Sequence, residues 1–304
     1  MTTPRQLKAM YEQGVNISTH MRSEAGLKIN TRDIIEVSYD LQTGSYISAM
    51  EDSRVSNHIR DYSKEISTIL KSFCNPKSIL EAGVGEATTL SAVLKNLGHD
   101  INSYGFDLSW SRVAYARNWL KSQGNSHTNL CTGDLYHIPF SNDSIDVVYT
   151  SHAVEPNGGN ERQILEELYR VTRKYLVLCE PGYELANREA RKRMDTHGYC
   201  KNLPGISESL GYNVIEHKLS SFSMNAENPT AFTVIKKDSQ SDLPLNAFAC
   251  PQFKTPLKKI TDMFYSPEAL RVYPIIGGIP CLRIENGVFA SKYAELFSNY
   301  QTTD

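Results

Sequence analysis

The spacing of hydrophobic residues along this chain changes near residue 76. Before that point, apolar residues recur every three or four positions, the spacing of one helix face, most clearly at Ile59, Tyr62, Ile66, Ile69 and Leu70. No strand-rich segment precedes residue 76. The pattern predicts a helical N-terminal region over residues 1–75.

From residue 76 to about 237, short runs of strand-forming residues alternate with helical patterns. Seven strand-like runs occur, and only a short connection joins the last two. The clearest helical patterns between them end at Leu97, run from Trp110 to Lys121, and run from Asn160 to Thr172. Such alternation is typical of a parallel sheet with helices on both faces. We therefore predict a doubly wound α/β domain over residues 76–237.

The polar segment 236–244 breaks the pattern and ends in a proline, so it is interpreted as a linker. A small β-rich module is predicted over residues 245–304. The predicted organisation is thus a helical cap, an α/β core and a small C-terminal module.

Composition narrows the classes of partner. The 304 residues are 40% hydrophobic and carry a formal net charge of −2, so the chain has a core but no positive field to hold a polyanion. The six cysteines are scattered, and no apolar run resembles a signal peptide or a membrane span. We expect a soluble cytoplasmic protein with a small-molecule ligand, without a membrane or nucleic-acid partner. A homo-oligomer stays open.

A glycine-rich turn follows the first predicted strand, in the order Glu81-Ala82-Gly83-Val84-Gly85. Glycines let the backbone turn tightly and approach a ligand. The second predicted strand ends at Asp107, whose carboxylate can accept hydrogen bonds from both hydroxyls of a ribose. Together these elements predict a nucleoside-type cofactor across the carboxyl ends of adjacent parallel strands.

The turn and Asp107 do not by themselves separate S-adenosylmethionine (SAM) from NAD, because the dinucleotide fold uses the same spacing. The acidic residues favour SAM. Glu81 and Glu86 would repel a pyrophosphate at the helix N-terminus, whereas the zwitterionic methionine part of SAM tolerates them. The third predicted strand ends in Gly133-Asp134-Leu135, which adds a further acidic residue.

At these motifs the chain resembles the class I SAM-dependent methyltransferases, especially those that methylate small molecules. The resemblance covers roughly residues 76–237 and implies a Rossmann-like seven-stranded sheet. It also implies that Glu81 and the glycines hold the methionine part, Asp107 the ribose, and Asp134 with Leu135 the adenine. The predicted cofactor-binding residues are Glu81, Ala82, Gly83, Gly85, Asp107, Leu108, Asp134, Leu135 and Ser151.

In this fold the methyl acceptor lies over the carboxyl ends of the fourth and fifth strands. His152 follows the fourth strand and could remove a proton near neutral pH; the alternative is that it packs against or caps the strand end. His197 and Tyr199, in the insertion after the fifth strand, form a second candidate catalytic pair, and a plain loop explains them as well.

The C-terminal module resembles the small zinc-ribbon proteins that act as activating partners of several methyltransferases. The resemblance rests on Cys250-Pro251-Gln252-Phe253-Lys254 and on the later Tyr273-Pro274-Ile275 with Gly278-Ile279-Pro280. A structural zinc needs four ligands, but Phe253 stands where a second cysteine would be. We expect no metal, and we expect Phe253 to replace it with hydrophobic packing.

The sequence is therefore interpreted as a SAM-dependent methyltransferase that acts on oxygen or nitrogen of a small polar acceptor, such as a sugar or secondary metabolite. Two alternatives remain at this point. One is a non-catalytic SAM-binding scaffold or activating subunit, and the other is an NAD-dependent oxidoreductase.

Overall fold

A computed structural model describes residues 2–98, 100–244 and 246–297. Its centre is a seven-stranded sheet in the order β3-β2-β1-β4-β5-β7-β6. Strands β1 to β5 are parallel, and β7 runs antiparallel to both β5 and β6. The predicted Rossmann-like seven-stranded sheet is confirmed. Its strands are β1 (Ser78–Ala82), β2 (Asn102–Asp107), β3 (Asn129–Thr132), β4 (Ile145–Ser151), β5 (Thr172–Pro181), β6 (Asn213–Leu219) and β7 (Thr230–Lys236).

Helices cover both faces of this sheet, because its central strands are apolar on both sides. All five residues of β1 are buried, as expected for a strand with helices above and below it. Side chains of α5, α6 and α7 form the core on one face, and those of α8 form the core on the other. These helices are α5 (Ser53–Phe73), α6 (Thr88–Leu97), α7 (Trp110–Ser122) and α8 (Glu161–Val171).

Four short helices precede α5, in agreement with the helical pattern of the N-terminal region. They are α1 (Pro4–Glu12), α2 (Ile17–Ala25), α3 (Arg32–Leu41) and α4 (Ser45–Ala49). Asn16 and Thr31 cap α2 and α3, each accepting a hydrogen bond from a backbone N–H of the first turn. Within the described residues, no helix combines the length and the apolar character needed to cross a bilayer.

The insertion after β5 is more regular than its sequence indicates. Its polar, basic stretch forms α9 (Arg188–His197), and α10 (Leu203–Ser209) follows. Only Ala190 and Met194 of α9 are buried, one helical turn apart. Because a single apolar pair gives almost no periodic signal, hydrophobic spacing does not predict this helix.

The C-terminal module is a five-stranded antiparallel sheet with β10 at its centre. The predicted module spans 245–304, of which residue 245 and residues 298–304 lie outside the described residues. The strands are β8 (Lys258–Ile260), β9 (Met263–Ser266), β10 (Arg271–Ile276), β11 (Ile279–Pro280) and β12 (Val288–Phe289), with α11 (Tyr293–Leu296) after them.

This module shares a core with the α/β domain. The rings of Phe140 and Phe248 have centroids 5.3 Å apart, and both belong to the same buried cluster as Phe106 and Tyr273. The backbone N–H of Leu282 also donates to the carbonyl of Thr132, 3.2 Å away, at the end of β3. The module is therefore packed against the β3 side of the sheet.

The expectation that Phe253 replaces a metal by hydrophobic packing is wrong, because its side chain is 48% exposed. Tyr273 is fully buried instead, and its hydroxyl lies 3.8 Å from Sγ of Cys250. An aromatic ring from β10 thus fills the space beside the remaining cysteine of the first pair.

Candidate active site

A cavity of about 510 Å³ opens at the carboxyl ends of β1, β2 and β4. This edge is where ligands bind in open α/β sheets, because the loops that leave parallel strands converge there. Four further segments close the cavity: α3, α4, the N-terminal half of α5, and the connection between β6 and β7.

The turn after β1 needs glycine for packing as well as for its conformation. Gly83 and Gly85 have φ of +74° and +54°, in the left-handed region. A Cβ on Gly83 would lie 2.3 Å from the Cβ of Ala153, and one on Gly85 would lie 3.2 Å from Nη2 of Arg112. The turn is therefore packed closely between the segment after β4 and the first turn of α7. Ala82 is fully buried in β1 and is not part of the cavity wall.

Asp107 is held in place at the cavity wall by backbone donors. Its Oδ2 accepts from the N–H of Gly85 at 2.9 Å, and its Oδ1 accepts from the N–H of Ser109 at 2.9 Å. Each carboxylate oxygen has two acceptor sites, so both oxygens keep capacity for a ribose hydroxyl. Leu108 lines the cavity beside it.

Asp134 forms an ion pair with Arg32 from α3 and accepts a hydrogen bond from the N–H of Tyr136, 3.0 Å away. The hydrogen bond with Asp134 raises the pKa of the Arg32 guanidinium, so the arginine stays charged. Leu135 also lines the cavity. Sequence reasoning missed Arg32, because it precedes Asp134 by 102 residues and belongs to no motif.

Glu81 is a buried carboxyl group that lacks a cationic partner within the described residues. It is 2% exposed and lines the cavity, and its Oε2 accepts from the hydroxyl of Tyr149 at 2.8 Å. Burial raises its pKa to about 8. The ammonium group of a methionine would supply the missing positive charge, so the residues around Glu81 fit SAM. The pyrophosphate of a dinucleotide would instead lie against acidic side chains here.

Glu86 connects the glycine turn to the N-terminal helices. Its Oε1 accepts from the N–H of Gly44, and its Oε2 accepts from the N–H of Ile47, both at 2.9 Å. A carboxylate at these donors stabilises the start of α4. Tyr46 of α4 lines the cavity, and its ring centroid lies 4.5 Å from the guanidinium of Arg112. The N-terminal helices thus close over the cofactor end of the cavity.

His152, the predicted catalytic histidine, lines the cavity just after β4 with a left-handed φ of +56°. Both ring nitrogens have protein partners: Nδ1 is hydrogen-bonded to Glu155, and Nε2 lies 2.8 Å from the hydroxyl of Thr230. Burial opposes the charged ring, but the hydrogen bond and charge of Glu155 together raise its pKa. Glu180 is turned away from the cavity, since its carboxylate accepts from three successive N–H groups of residues 153–155.

His197 and Tyr199 do not belong to the cavity wall. Their rings stack on each other with centroids 5.3 Å apart, at the end of α9. Tyr199 reaches the site only through its hydrogen bond with Glu155, and burial together with that carboxylate raises the pKa of its hydroxyl to about 12. The structure therefore places Ser151 and His152 in the cavity wall, whereas His197 and Tyr199 lie outside it.

Sequence reasoning missed a second histidine in the cavity wall. His58 of α5 lines the cavity, and its ring lies parallel to that of Tyr62, with centroids 5.6 Å apart. The Tyr62 hydroxyl is 3.2 Å from Oγ of Ser151. Helical spacing in the sequence could have identified it, because His58 precedes Tyr62 by four residues and so shares the face of α5 that packs on the sheet.

Residues 79–175 match the model of a family described as a methyltransferase domain. The matched segment is a methyltransferase domain. The match supports the predicted cofactor, SAM, and the motifs at Glu81, Asp107 and Asp134 lie within the matched segment.

Solved structures agree with the fold of this methyltransferase domain. Magnesium protoporphyrin IX methyltransferase from Synechocystis, solved with bound S-adenosylhomocysteine, is 10% identical with a TM-score of 0.52, and the alignment covers 68% of this chain and all of that one. A SAM-dependent methyltransferase from Aquifex aeolicus is 19% identical with a TM-score of 0.43, over 56% of this chain and 87% of that one. At these identities the likeness concerns the fold alone.

Proposed function

We propose that this chain transfers the methyl group of SAM to an oxygen or nitrogen atom of a small molecule. The observation that carries the proposal is the continuity of one cavity from the acidic residues of the cofactor end to His58, His152 and Thr230. A cofactor held at one end thus shares an enclosed space with a second ligand. Methyl transfer requires this arrangement, because the acceptor must meet the methyl carbon in line.

SAM supplies a methyl group bonded to a positively charged sulfur. The chain's own residues would hold it by charge and hydrogen bonding: Glu81 receives the ammonium group, Asp107 the ribose hydroxyls, and Asp134 with Leu135 the adenine. We propose these roles on the basis of the cavity wall described above. Arg32 would then give up part of its contact with Asp134 or cover the adenine from above.

The N-terminal helices would exclude water from the reaction. Tyr39 and Tyr46 line the cavity on either side of Arg112, with ring centroids 5.2 and 4.5 Å from its guanidinium. Water exclusion strengthens the electrostatic interactions inside the site and prevents the methyl group from being lost to solvent.

Calorimetry with SAM, S-adenosylhomocysteine and NAD tests the cofactor site. We expect the first two to bind and NAD not to bind. Asp107→Ala should weaken SAM binding roughly 10- to 150-fold, because it removes charge-assisted hydrogen bonds of about 1.5–3 kcal/mol. Asp238→Ala is the matched control, since Asp238 pairs with Lys236 far from the cavity. Binding of NAD without SAM would contradict the proposal.

We further propose that the C-terminal module is a zinc-ribbon-like unit without its metal. Its antiparallel strands and the burial of Cys250 and Cys281 support this. Within the described residues, no group of three or more His, Cys, Asp or Glu side chains is arranged to hold a metal ion. The buried pair of Cys250 and Tyr273 would replace the metal as the centre of the module.

A further inference from the structure

The part of the cavity beyond the cofactor residues is lined by different types of side chain from those of the cofactor end. We call it the acceptor end. Its α5 side is formed by Val55, His58, Ile59 and Tyr62, and its other side is lined by Ser223, Met224, Asn225, Asn228 and Thr230. The α5 side is apolar or aromatic, whereas the other side carries polar groups beside Met224. A wall of this kind favours a ligand with an apolar face and a polar edge.

The acceptor end carries no unpaired cation in the described part of its wall. Among the described residues two arginines line the cavity, and both lie at its cofactor end: Arg32 pairs with Asp134, and Arg112 lies beside Gly85 and the rings of Tyr39 and Tyr46. The charge of His152 is balanced by Glu155. A carboxylate or phosphate on the acceptor would therefore be desolvated without a partner, which is costly. The wall selects for an uncharged acceptor.

One aromatic ring of the wall is accessible to a ligand. Tyr62 is buried, and its ring stacks with those of His58 and Phe232 at centroid distances of 5.6 and 6.3 Å, so the half-buried ring of His58 is the aromatic surface that a ligand can contact. Aromatic faces stack on other aromatic rings more favourably than on the puckered ring of a sugar. Met224, on the opposite wall, has a flexible thioether that adapts to ring edges.

His58 is the histidine with a free proton-accepting nitrogen. Among the described residues, no hydrogen bond or ion pair engages its ring, whereas both nitrogens of His152 are engaged. The charged or titratable groups around His58 are His152, which also lines the cavity, and Asp61 and Tyr62 on its own helix. Burial and then the charge of His152 lower the pKa of His58, so its ring is neutral at pH 7.

We propose that the acceptor is an uncharged aromatic molecule with a ring hydroxyl, and that His58 accepts the proton of that hydroxyl. The inference rests on the proposed methyl transfer and narrows its acceptor. It departs from a sugar, one of the acceptors expected from the sequence, because the α5 side of the wall is apolar and aromatic rather than lined by hydrogen-bonding groups.

The step balances without another reactant. The hydroxyl proton moves to a ring nitrogen of His58, and an electron pair of the oxygen forms the new O–C bond. The C–S bond breaks with its electrons remaining on sulfur, which becomes neutral. His58 then returns its proton to solvent. A neutral imidazole can assist a phenolic hydroxyl, whose pKa is about 10, much better than an aliphatic alcohol of far higher pKa.

A panel of acceptors tests the ligand class. The full chain would be incubated with methyl-labelled SAM and with a neutral phenol, the same ring carrying a carboxylate or a phosphate, a hexose and an aromatic amine. We expect label on the neutral phenol at a rate at least tenfold above the others. Preferential labelling of any other acceptor, or SAM binding without label on the phenol, would overturn the inference and leave the cofactor site standing. Failure to bind SAM would overturn the proposed function itself.

His58→Gln tests the role of the histidine. With a phenol of ordinary acidity the variant should lose roughly 100-fold in rate, as expected for removal of a general base. With a nitrophenol that is already ionised at the assay pH, wild type and variant should both react slowly because the wall disfavours an anion, but the loss caused by the substitution should shrink to about threefold. A structural role would reduce both rates equally, and that result would overturn the assignment.

The pH profile supplies a second readout. The wild-type rate with the ordinary phenol should rise with pH as His58 loses its proton, at a pH below 6.5, and then level off. His58→Gln should lack this rise, and a retained rise would contradict the proposal. SAM affinity monitors folding, with His58→Asn as a second variant. His127→Gln, in an exposed turn, is the matched control and should behave as wild type.

Discussion

Arg283 of the C-terminal module forms a two-pronged ion pair with Glu36 of α3, in which Nη2 of the arginine lies 2.8 Å from Oε2 of the glutamate. The same guanidinium donates to the carbonyl of Leu108, at 3.1 Å, next to Asp107. One turn earlier on α3, Arg32 pairs with Asp134. Helix α3 is therefore fixed between the C-terminal module and the cofactor end of the cavity.

Arg283→Ala should destabilise the protein and weaken SAM binding. The guanidinium is 9% exposed, and its removal leaves the Glu36 carboxylate without its partner. Because Glu36 is one third exposed and regains some hydration, we expect a loss of about 2 kcal/mol, below the usual cost for a fully buried pair. Thermal unfolding measures the stability, and calorimetry measures the SAM affinity, which should fall several-fold as α3 loosens.

Lys292→Ala is the matched control for this prediction. Lys292 pairs with Glu295 in the same module, but its side chain is 71% exposed. Surface pairs of this kind contribute little, so the midpoint of unfolding should stay within about 1 °C of wild type. Equal effects of the two variants would mean that the module contributes only its general packing.

SAM binding should release a proton from Glu81. Burial holds the pKa of Glu81 at about 8 in the free protein, so the group is mostly protonated at pH 7. An ammonium group beside it favours the charged form and lowers that pKa. At pH values between this lowered pKa and about 8, SAM binding releases close to one proton, and the affinity for SAM rises with pH. Above this range the gain ends, because Glu81 is then ionised before binding.

Calorimetry at pH 7 in buffers of different ionisation enthalpy counts the released protons. Glu81→Gln should release none, should lose the pH dependence of affinity, and should bind SAM at least tenfold more weakly. Proton release by Glu81→Gln equal to that of wild type would show that another group titrates on binding.

Gly83→Ala should be far more destabilising than an alanine at a second glycine of similar backbone conformation. Gly124 has φ of +82°, but no atom lies within 4 Å of a Cβ built there, so its substitution reports the conformational cost alone, about 1 kcal/mol. At Gly83 the clash with Ala153 adds to that cost. Chemical denaturation should give a loss at least 2 kcal/mol larger for Gly83→Ala, together with weaker SAM binding. Similar losses at the two sites would refute the packing argument.

The cofactor end of the site could be predicted because its residues lie in short contiguous motifs at strand ends. Glu81 lies near the end of β1, Asp107 ends β2 and Asp134 follows β3, and parallel strands bring such positions to one edge. The acceptor end could not be predicted in this way. His58 precedes the sheet on a helix, and Thr230 begins its last strand, so no local spacing relates them.

The sequence by itself determined the order of strands and helices, and with it the side of the sheet on which a cofactor binds, because hydrophobic periodicity and glycine turns are local properties. Only the tertiary structure decided which histidine keeps a free nitrogen. His152 is adjacent to the motifs yet engaged by Glu155 and Thr230, while His58 faces the cavity without such partners in the described chain. It also decided that Arg283 reaches Glu36, since contacts between distant segments depend on packing and not on spacing along the chain.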